Sequence, residues 1–229
     1  MPSHKDKLIV ALDSKELDDS RRLTDELDSL VSFYKIGLRT FVTDGFNFAS
    51  YLKNKGKRIF LDLKLFDIQS TIEETVAKLS NLDIDFLTVH GDPSIVEAAV
   101  MGKKNTAMRI LAVTFLTNQN RSDLDLSLIK KGEIRKLVLE RATNAISAGA
   151  DGLIASPLEV KLLRSLKCTA GKLIVTPGIR PKNTSFGDQK RVATPSEAFD
   201  AGADYIVVGR PIWQSKYPKI TVEWILNDL

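Results

Sequence analysis

Eight short runs of branched apolar residues recur along the chain, and amphipathic segments separate them. Runs that stay apolar at nearly every position indicate strands buried on both faces, as in parallel sheets. Strict alternation of eight such strands with helices favours a closed parallel barrel over an open sheet. The predicted strands cover residues 8–12, 33–37, 58–62, 86–90, 109–114, 152–156, 173–177 and 205–209.

The segments between these runs have helical spacing. Helices are predicted over residues 14–30, 67–79 and 133–148, with Ser14 as the first N-cap and Asp67 or Ser70 as the second. Two longer polar connections, 117–132 and 180–193, follow strands at the face where barrel enzymes place their chemistry. We therefore expect both connections to handle a ligand.

The length of 229 residues suits one large domain, so residues 1–229 are predicted to form a single-domain (β/α)8 barrel of the TIM-barrel type. Lys and Arg exceed Asp and Glu by only 33 to 29, which is too even for a dedicated nucleic-acid-binding protein. The single cysteine excludes an intramolecular disulfide. The first apolar run is too short to cross a membrane, and we expect a soluble cytoplasmic protein.

Alternating charges crowd the end of the third apolar run, at Asp62, Lys64 and Asp67. In a regular strand Asp62 and Lys64 project to the same side, because the side-chain period is two. Desolvated charges are costly unless they are paired and hydrogen-bonded. The crowding therefore indicates either a structural ion pair or an active site, and the local pattern favours neither.

Parallel strands would bring several polar side chains to one mouth at their carboxyl ends. A lysine inside a strand, such as Lys35, is poorly explained by packing and favours a functional role. Asp13 has two interpretations, a site residue or the N-cap of the first helix. The residues that converge are Asp13, Lys35, Asp62, Lys64, His90, Thr114, Ser156, Pro177 and Arg210.

His90 has two interpretations, a metal ligand or a buried histidine that supports the site. Asp62, Asp67 and His90 could gather a divalent metal, but Lys64 competes for the same carboxylates. We therefore rank a metal second and predict that His90 is buried and hydrogen-bonded.

A phosphate site is predicted after the last two strands, as in many barrels of this type. Gly209 allows backbone N–H groups to approach an anion, and Arg210 adds positive charge. Arg180 is a candidate second clamp on the phosphate. The polar loop that carries Gln189 and Arg191 could close over the ligand as a lid.

Together these motifs resemble those of the orotidine 5'-monophosphate decarboxylase family over nearly the whole chain. The most specific is Asp62-Leu63-Lys64-Leu65-Phe66-Asp67-Ile68-Gln69-Ser70-Thr71, although Asp-x-Lys-x-x-Asp alone also occurs in sugar-phosphate decarboxylases of the same barrel. The other motifs, in order, are Ala11-Leu12-Asp13, Tyr34-Lys35-Ile36-Gly37, Thr176-Pro177-Gly178-Ile179-Arg180-Pro181, Gly187-Asp188-Gln189 and Gly209-Arg210-Pro211.

The resemblance implies decarboxylation of orotidine 5'-monophosphate to UMP without a cofactor or metal, and without nucleic-acid or membrane partners. It implies a charged network of Lys35, Asp62, Lys64 and Asp67, with Lys64 as the proton donor. It also implies a homodimer in which Asp67, Ile68 and Thr71 reach the neighbouring subunit's site. The other implied substrate contacts are Asp13 to the ribose, Thr117 to the pyrimidine, Arg180, Gln189, Gly209 and Arg210 on the phosphate side, and Pro177.

The residues alone leave two other functions open. One is a metal-dependent keto-gulonate phosphate decarboxylase or pentose-phosphate epimerase on the same barrel. The other is a non-catalytic protein that binds phosphate or nucleic acid, which leaves the charges of Lys35, Asp62 and Lys64 unexplained.

Overall fold

The eight strands close into a parallel barrel in sequence order, and β8 pairs with β1 to complete it. The structure, a computed structural model, describes residues 4–116, 119–181 and 192–228. The predicted (β/α)8 barrel is therefore confirmed. The strands are β1 (Leu8–Ala11), β2 (Phe33–Gly37), β3 (Arg58–Leu65), β4 (Phe86–His90), β5 (Arg109–Val113), β6 (Gly152–Ile154), β7 (Leu173–Thr176) and β8 (Tyr205–Val208).

Helices follow the strands and pack around the outside of the barrel. The N-caps predicted for α1 and α3 are wrong. The N-cap of α1 is Glu16, and that of α3 is Ile68. The Ser14 hydroxyl instead donates to the carbonyl of Glu16. The α-helices are α1 (Leu17–Glu26), α2 (Leu38–Asn54), α3 (Gln69–Leu79), α4 (Pro93–Gly102), α5 (Arg121–Leu126), α6 (Ile134–Ser147), α7 (Val160–Arg164), α8 (Pro195–Asp200), α9 (Arg210–Trp213) and α10 (Pro218–Asn227).

A layer of aromatic rings fills the barrel at its amino end. Phe86 lies edge-on to Phe33 and Tyr205, with ring centroids 5.0 and 5.2 Å apart. The Arg58 guanidinium covers Phe33 at 4.1 Å and pairs with Asp85 at 2.9 Å. Because this end is packed, open space inside the barrel lies at the carboxyl end of the strands.

Alternate strand residues point outward and form the larger apolar core under the helices. In β2, Phe33 belongs to the barrel interior, whereas Tyr34 and Ile36 pack outside it. The same alternation sends Lys35 inward, where it is 6% exposed. None of the described helices is both long enough and apolar enough to cross a membrane.

Candidate active site

Three charged side chains from two adjacent strands form a continuous ion-pair network inside the barrel mouth. The Lys64 ammonium lies 2.6 Å from Asp62 Oδ1, and the Lys35 ammonium lies 3.3 Å from Asp62 Oδ2. Lys35 also pairs with Asp13 at 3.0 Å. The side chain of Asp62 is 15% exposed and that of Lys35 is 7% exposed. One largely buried carboxylate therefore holds two ammonium groups.

A bulge in β3 brings Lys64 onto Asp62. The register with β4 changes from Leu61 opposite Leu87 to Leu65 opposite Val89, so β3 carries extra residues between these pairs. Lys64 has a φ of +48°, in the left-handed region that side chains other than glycine rarely adopt. The sequence expectation of a regular strand is thus wrong here, although the two charges do face one space.

Thr88 of β4 fills the gap that the bulge leaves. Its hydroxyl accepts a hydrogen bond from the Lys64 backbone N–H at 2.9 Å and donates one to Asp62 Oδ1 at 3.0 Å. Thr88 is fully buried. It therefore stabilises both the unusual backbone of Lys64 and the position of the Asp62 carboxylate.

Asp13 is a member of the network and not a helix cap. The N-cap position of α1 is occupied by Glu16, while Asp13 accepts hydrogen bonds from the Lys35 ammonium. This contact requires a glycine at position 37. A Cβ atom added there would lie 2.3 Å from Asp13 Oδ1 and 3.0 Å from Lys35 Nζ.

The charges around Asp62 and Lys35 keep these two side chains ionised. Burial alone would raise the pKa of Asp62, but the charges of Lys35 and Lys64 outweigh it and lower that pKa to about 2. Burial alone would lower the pKa of Lys35, but Asp62 and Asp13 outweigh it and raise that pKa above its usual value. At neutral pH the Lys35–Asp62 pair is therefore charged.

The network forms one wall of a cavity of about 600 Å³ at the carboxyl end of the barrel. The lining includes five cationic and two acidic side chains, so the cavity carries excess positive charge. Such a cavity suits an anionic ligand of nucleotide size. The charged lining residues are Asp13, Lys35, Arg39, Asp62, Lys64, Arg180 and Arg210.

The predicted phosphate residues that are described lie on the β7–β8 side of this cavity. Arg180, Gly209 and Arg210 all line it, and so does Pro177, which was predicted as a further substrate contact. Arg180 is 8% exposed and donates from Nη1 to the carbonyl of Ile179. Thr117, Gln189 and Arg191 lie outside the described residues, as does most of the predicted lid.

The segment after β3 points away from the cavity of its own chain. Asp67, Ile68 and Thr71 are exposed, and none of them lines the cavity. The Asp67 carboxylate accepts a hydrogen bond from the Ile68 backbone N–H at 2.7 Å. Within the described ranges Asp67 makes no ion pair with Lys64. Asp67 is therefore not part of the charged network of its own subunit.

The prediction of a buried, hydrogen-bonded His90 is wrong. Its side chain is 37% exposed, and its ring lies against Phe66 in a tilted arrangement with centroids 4.9 Å apart. Its Nδ1 atom lies 3.9 Å from Asp92 Oδ2. Over the described part of the chain, no group of three or more His, Cys, Asp and Glu side chains is arranged to hold a metal ion.

Several residues of the site were not identified from the sequence, and four of them have large or polar side chains that shape it. Thr88 supports the network, while Arg39, Phe115 and Trp213 line the cavity. A hydroxyl within the apolar run of β4 was a usable signal for Thr88. The other three follow strand ends, where only the closed barrel shows which side chains turn inward.

Comparison with known proteins agrees with this geometry. The model of the orotidine 5'-phosphate decarboxylase / HUMPS family matches residues 6–225. The chain belongs to this family.

Within the family, two curated relatives are named orotidine 5'-phosphate decarboxylase. The protein of Cereibacter sphaeroides is 53% identical over 93% of both chains. The protein of Ruegeria pomeroyi is 53% identical over 98% of this chain and 94% of its own. The crystal structure of orotidine 5'-phosphate decarboxylase from Lactobacillus acidophilus superposes with a TM-score of 0.81 at 34% identity, covering 97% of this chain and 98% of that one.

Proposed function

We propose that the chain decarboxylates orotidine 5'-monophosphate to UMP, with Lys64 as both the stabilising cation and the proton donor. The reaction, in which orotidine 5'-monophosphate is the substrate and UMP the product of pyrimidine synthesis, follows from family membership. The role of Lys64 rests on the structure of the site. A cytoplasmic location remains a prediction.

The observation that carries the proposal is the Lys35–Asp62–Lys64 network on the wall of a cationic cavity. The substrate carries one carboxylate on its ring and a phosphate of about −1.5 to −2 charge. Five cationic lining side chains exceed two acidic ones by a margin that suits this ligand. A buried charge network at a cavity wall is also typical of catalytic sites.

The chemistry needs a fixed cation. When the bond between C6 and the carboxylate breaks, carbon dioxide leaves and the electron pair stays on C6 in an orbital that the ring cannot delocalise. An ammonium held beside C6 stabilises that charge, most strongly where water is excluded. Lys64 then transfers a proton to C6 to give UMP and recovers a proton from solvent.

Asp62 holds the ammonium of Lys64 at 2.6 Å and is itself fixed by Lys35 and Thr88. Preorganisation of this kind lowers the barrier because the dipoles and charges need not reorient during the reaction. The Asp62 carboxylate could also crowd the departing carboxylate of the substrate, which is a second way to favour bond breaking.

The remaining substrate contacts are proposed from the family resemblance together with their positions. Asp13 would bind the ribose, while Arg180, Gly209 and Arg210 would bind the phosphate, with Pro177 beside them. Thr117 and Gln189 keep their proposed contacts to the pyrimidine and the phosphate.

We also propose a homodimer in which Asp67, Ile68 and Thr71 complete the partner's site. The supporting observation is that this segment is exposed and unusually apolar for a surface, with Phe66 at 65% and Ile68 at 69% exposure. An exposed apolar patch beside a polar rim is typical of a protein interface. The segment begins two residues after Lys64, at the rim of the site.

The test of the function is the ultraviolet absorbance change when orotidine 5'-monophosphate is converted to UMP, with excess chelator present. We expect turnover to survive chelation, and a loss of turnover with chelator would contradict the metal-independent mechanism. Absence of turnover even without chelator would favour the alternative of a metal-dependent sugar-phosphate enzyme. We also expect orotidine, which lacks the phosphate, to lose kcat as well as affinity, because remote phosphate binding is used at the reacting carbon. A phosphate-independent kcat would contradict that account.

A further inference from the structure

Arg39 is a cationic residue of the cavity to which neither the sequence nor the family resemblance assigns a role. It lies in the first turn of α2, directly after β2, and is both exposed and part of the cavity lining. A residue with both properties stands at the mouth. Its position on the β2 side complements Arg180 and Arg210, which follow β7 and β8.

Arg39 makes no ion pair within the described ranges, because no carboxylate of those residues lies within 4.0 Å of its guanidinium. Two of the other lining cations, Lys35 and Lys64, both bind Asp62. A solvated, unpaired guanidinium contributes its full charge to the potential outside the cavity.

Local stability gives no reason for an arginine at this position. The first turn of a helix favours acidic residues, and α2 has none there. The packing role of this turn belongs to Thr40, whose hydroxyl donates to the carbonyl of Leu12 at 2.6 Å. The described contacts of this turn therefore assign the Arg39 side chain no role in the fold.

We propose that Arg39 attracts the anionic nucleotide to the mouth and increases the rate of substrate capture, without taking part in bond breaking. The inference rests on the proposed function, because the charge of the substrate follows from it. Rim charges typically change association rates and their salt dependence more than they change bound-state chemistry.

The test compares Arg39→Ala, Arg39→Glu and Arg39→Lys with wild type in orotidine 5'-monophosphate turnover at low and high salt. For Arg39→Ala we expect kcat/KM to fall roughly 3- to 10-fold at low salt, with kcat changed less than about 2-fold. Arg39→Glu should fall further and Arg39→Lys should retain most of the wild-type value. The gap should nearly close at 1 M salt, where the screening length is about 3 Å.

Arg135→Ala is the matched control, because Arg135 is an exposed arginine of α6 that does not line the cavity. It should match wild type at both salt concentrations. Calorimetric binding of UMP to the same proteins gives a second readout that needs no turnover, and Arg39→Ala should weaken it at low salt only.

Equal kcat/KM values for wild type and Arg39→Ala at low salt would overturn the inference. So would a loss that persists at 1 M salt, or a fall in kcat as large as that in kcat/KM, which would place Arg39 in the chemical step. Wild-type protein without turnover would instead contradict the proposed function, and the salt dependence of UMP binding would still decide the role of Arg39.

Discussion

Asp62 is the carboxylate that joins the two lysines of the site. Its two oxygens bind Lys64 and Lys35, and Thr88 donates a further hydrogen bond. Removing one member of a buried charge network leaves the others uncompensated, which is usually strongly destabilising. The same carboxylate therefore contributes to stability and fixes the position of the Lys64 ammonium.

The acid sensitivity of the fold is a direct consequence of this environment. The pKa of Asp62 is about 2 in the folded protein against 3.8 as a reference, so its contribution to stability is present above pH 3.8 and is lost as the pH falls towards 2. The loss should be on the order of 2 kcal/mol. Urea unfolding of wild type and Asp62→Asn between neutral and acid pH measures it.

The test is the difference in unfolding free energy between wild type and Asp62→Asn at each pH, because the other carboxylates titrate in both proteins. Wild type should lose more unfolding free energy than Asp62→Asn over the acid range. Parallel pH profiles would show that Asp62 has an ordinary pKa, which would contradict the described network.

At the scale of the element, the bulge in β3 is the feature that builds the site. A regular strand would place Asp62 and Lys64 on the same face but separated along the strand by roughly 6.5 Å. The bulge and the left-handed backbone of Lys64 instead bring the ammonium to 2.6 Å from the carboxylate. Backbone strain at this residue is thus connected with function.

That strain predicts a stability difference between two substitutions. Lys64→Ala keeps a Cβ atom in the left-handed region, whereas Lys64→Gly does not. Because both substitutions remove the ammonium, the difference in unfolding free energy between them reports the backbone conformation at this residue. We expect Lys64→Gly to be more stable than Lys64→Ala by about 1 kcal/mol, measured by urea unfolding at neutral pH. If Lys64→Ala were the more stable, the backbone would not be strained there.

The strands and the convergence of charges at one mouth could be predicted because apolar runs and a parallel barrel determine them. β2 and β4 have the predicted bounds, and β5 ends one residue earlier. The bulge could not be predicted, since it depends on Thr88 of the neighbouring strand. The cap of α1 was missed because Ser14 donates to a local carbonyl instead of accepting from the helix.

At the scale of the whole molecule, we propose that residues 1–229 form one domain and that two such domains form the active assembly. Strands from Leu8 to Val208 belong to one closed barrel, and the family model extends over most of the chain. The segment that carries Asp67, Ile68 and Thr71 is exposed and does not line the cavity of its own chain, which supports a role across a subunit interface.

A subunit-mixing experiment tests the shared site. Lys64→Ala and Asp67→Asn should each be nearly inactive as homodimers. After denaturation and refolding of an equal mixture, half of the dimers would be hybrid, and each hybrid would have one site with both native residues. We expect about a quarter of wild-type activity in the mixture.

The control is each variant refolded alone, which should regain folding but not activity. If the mixture stayed as inactive as its parents while sedimentation showed dimers, Asp67 would not act across the interface. A monomer in sedimentation would contradict the proposed assembly as well.

The most direct measurement of the central claim is orotidine 5'-monophosphate turnover by Lys64→Ala against wild type, with circular dichroism to verify folding. Lys78→Ala is a suitable control, because Lys78 is an exposed lysine of α3 outside the cavity. We predict that kcat falls by roughly 100- to 1,000-fold or more in Lys64→Ala and is unchanged in the control. A folded Lys64→Ala protein with turnover near wild type would contradict the assignment of Lys64 as the stabilising cation and proton donor.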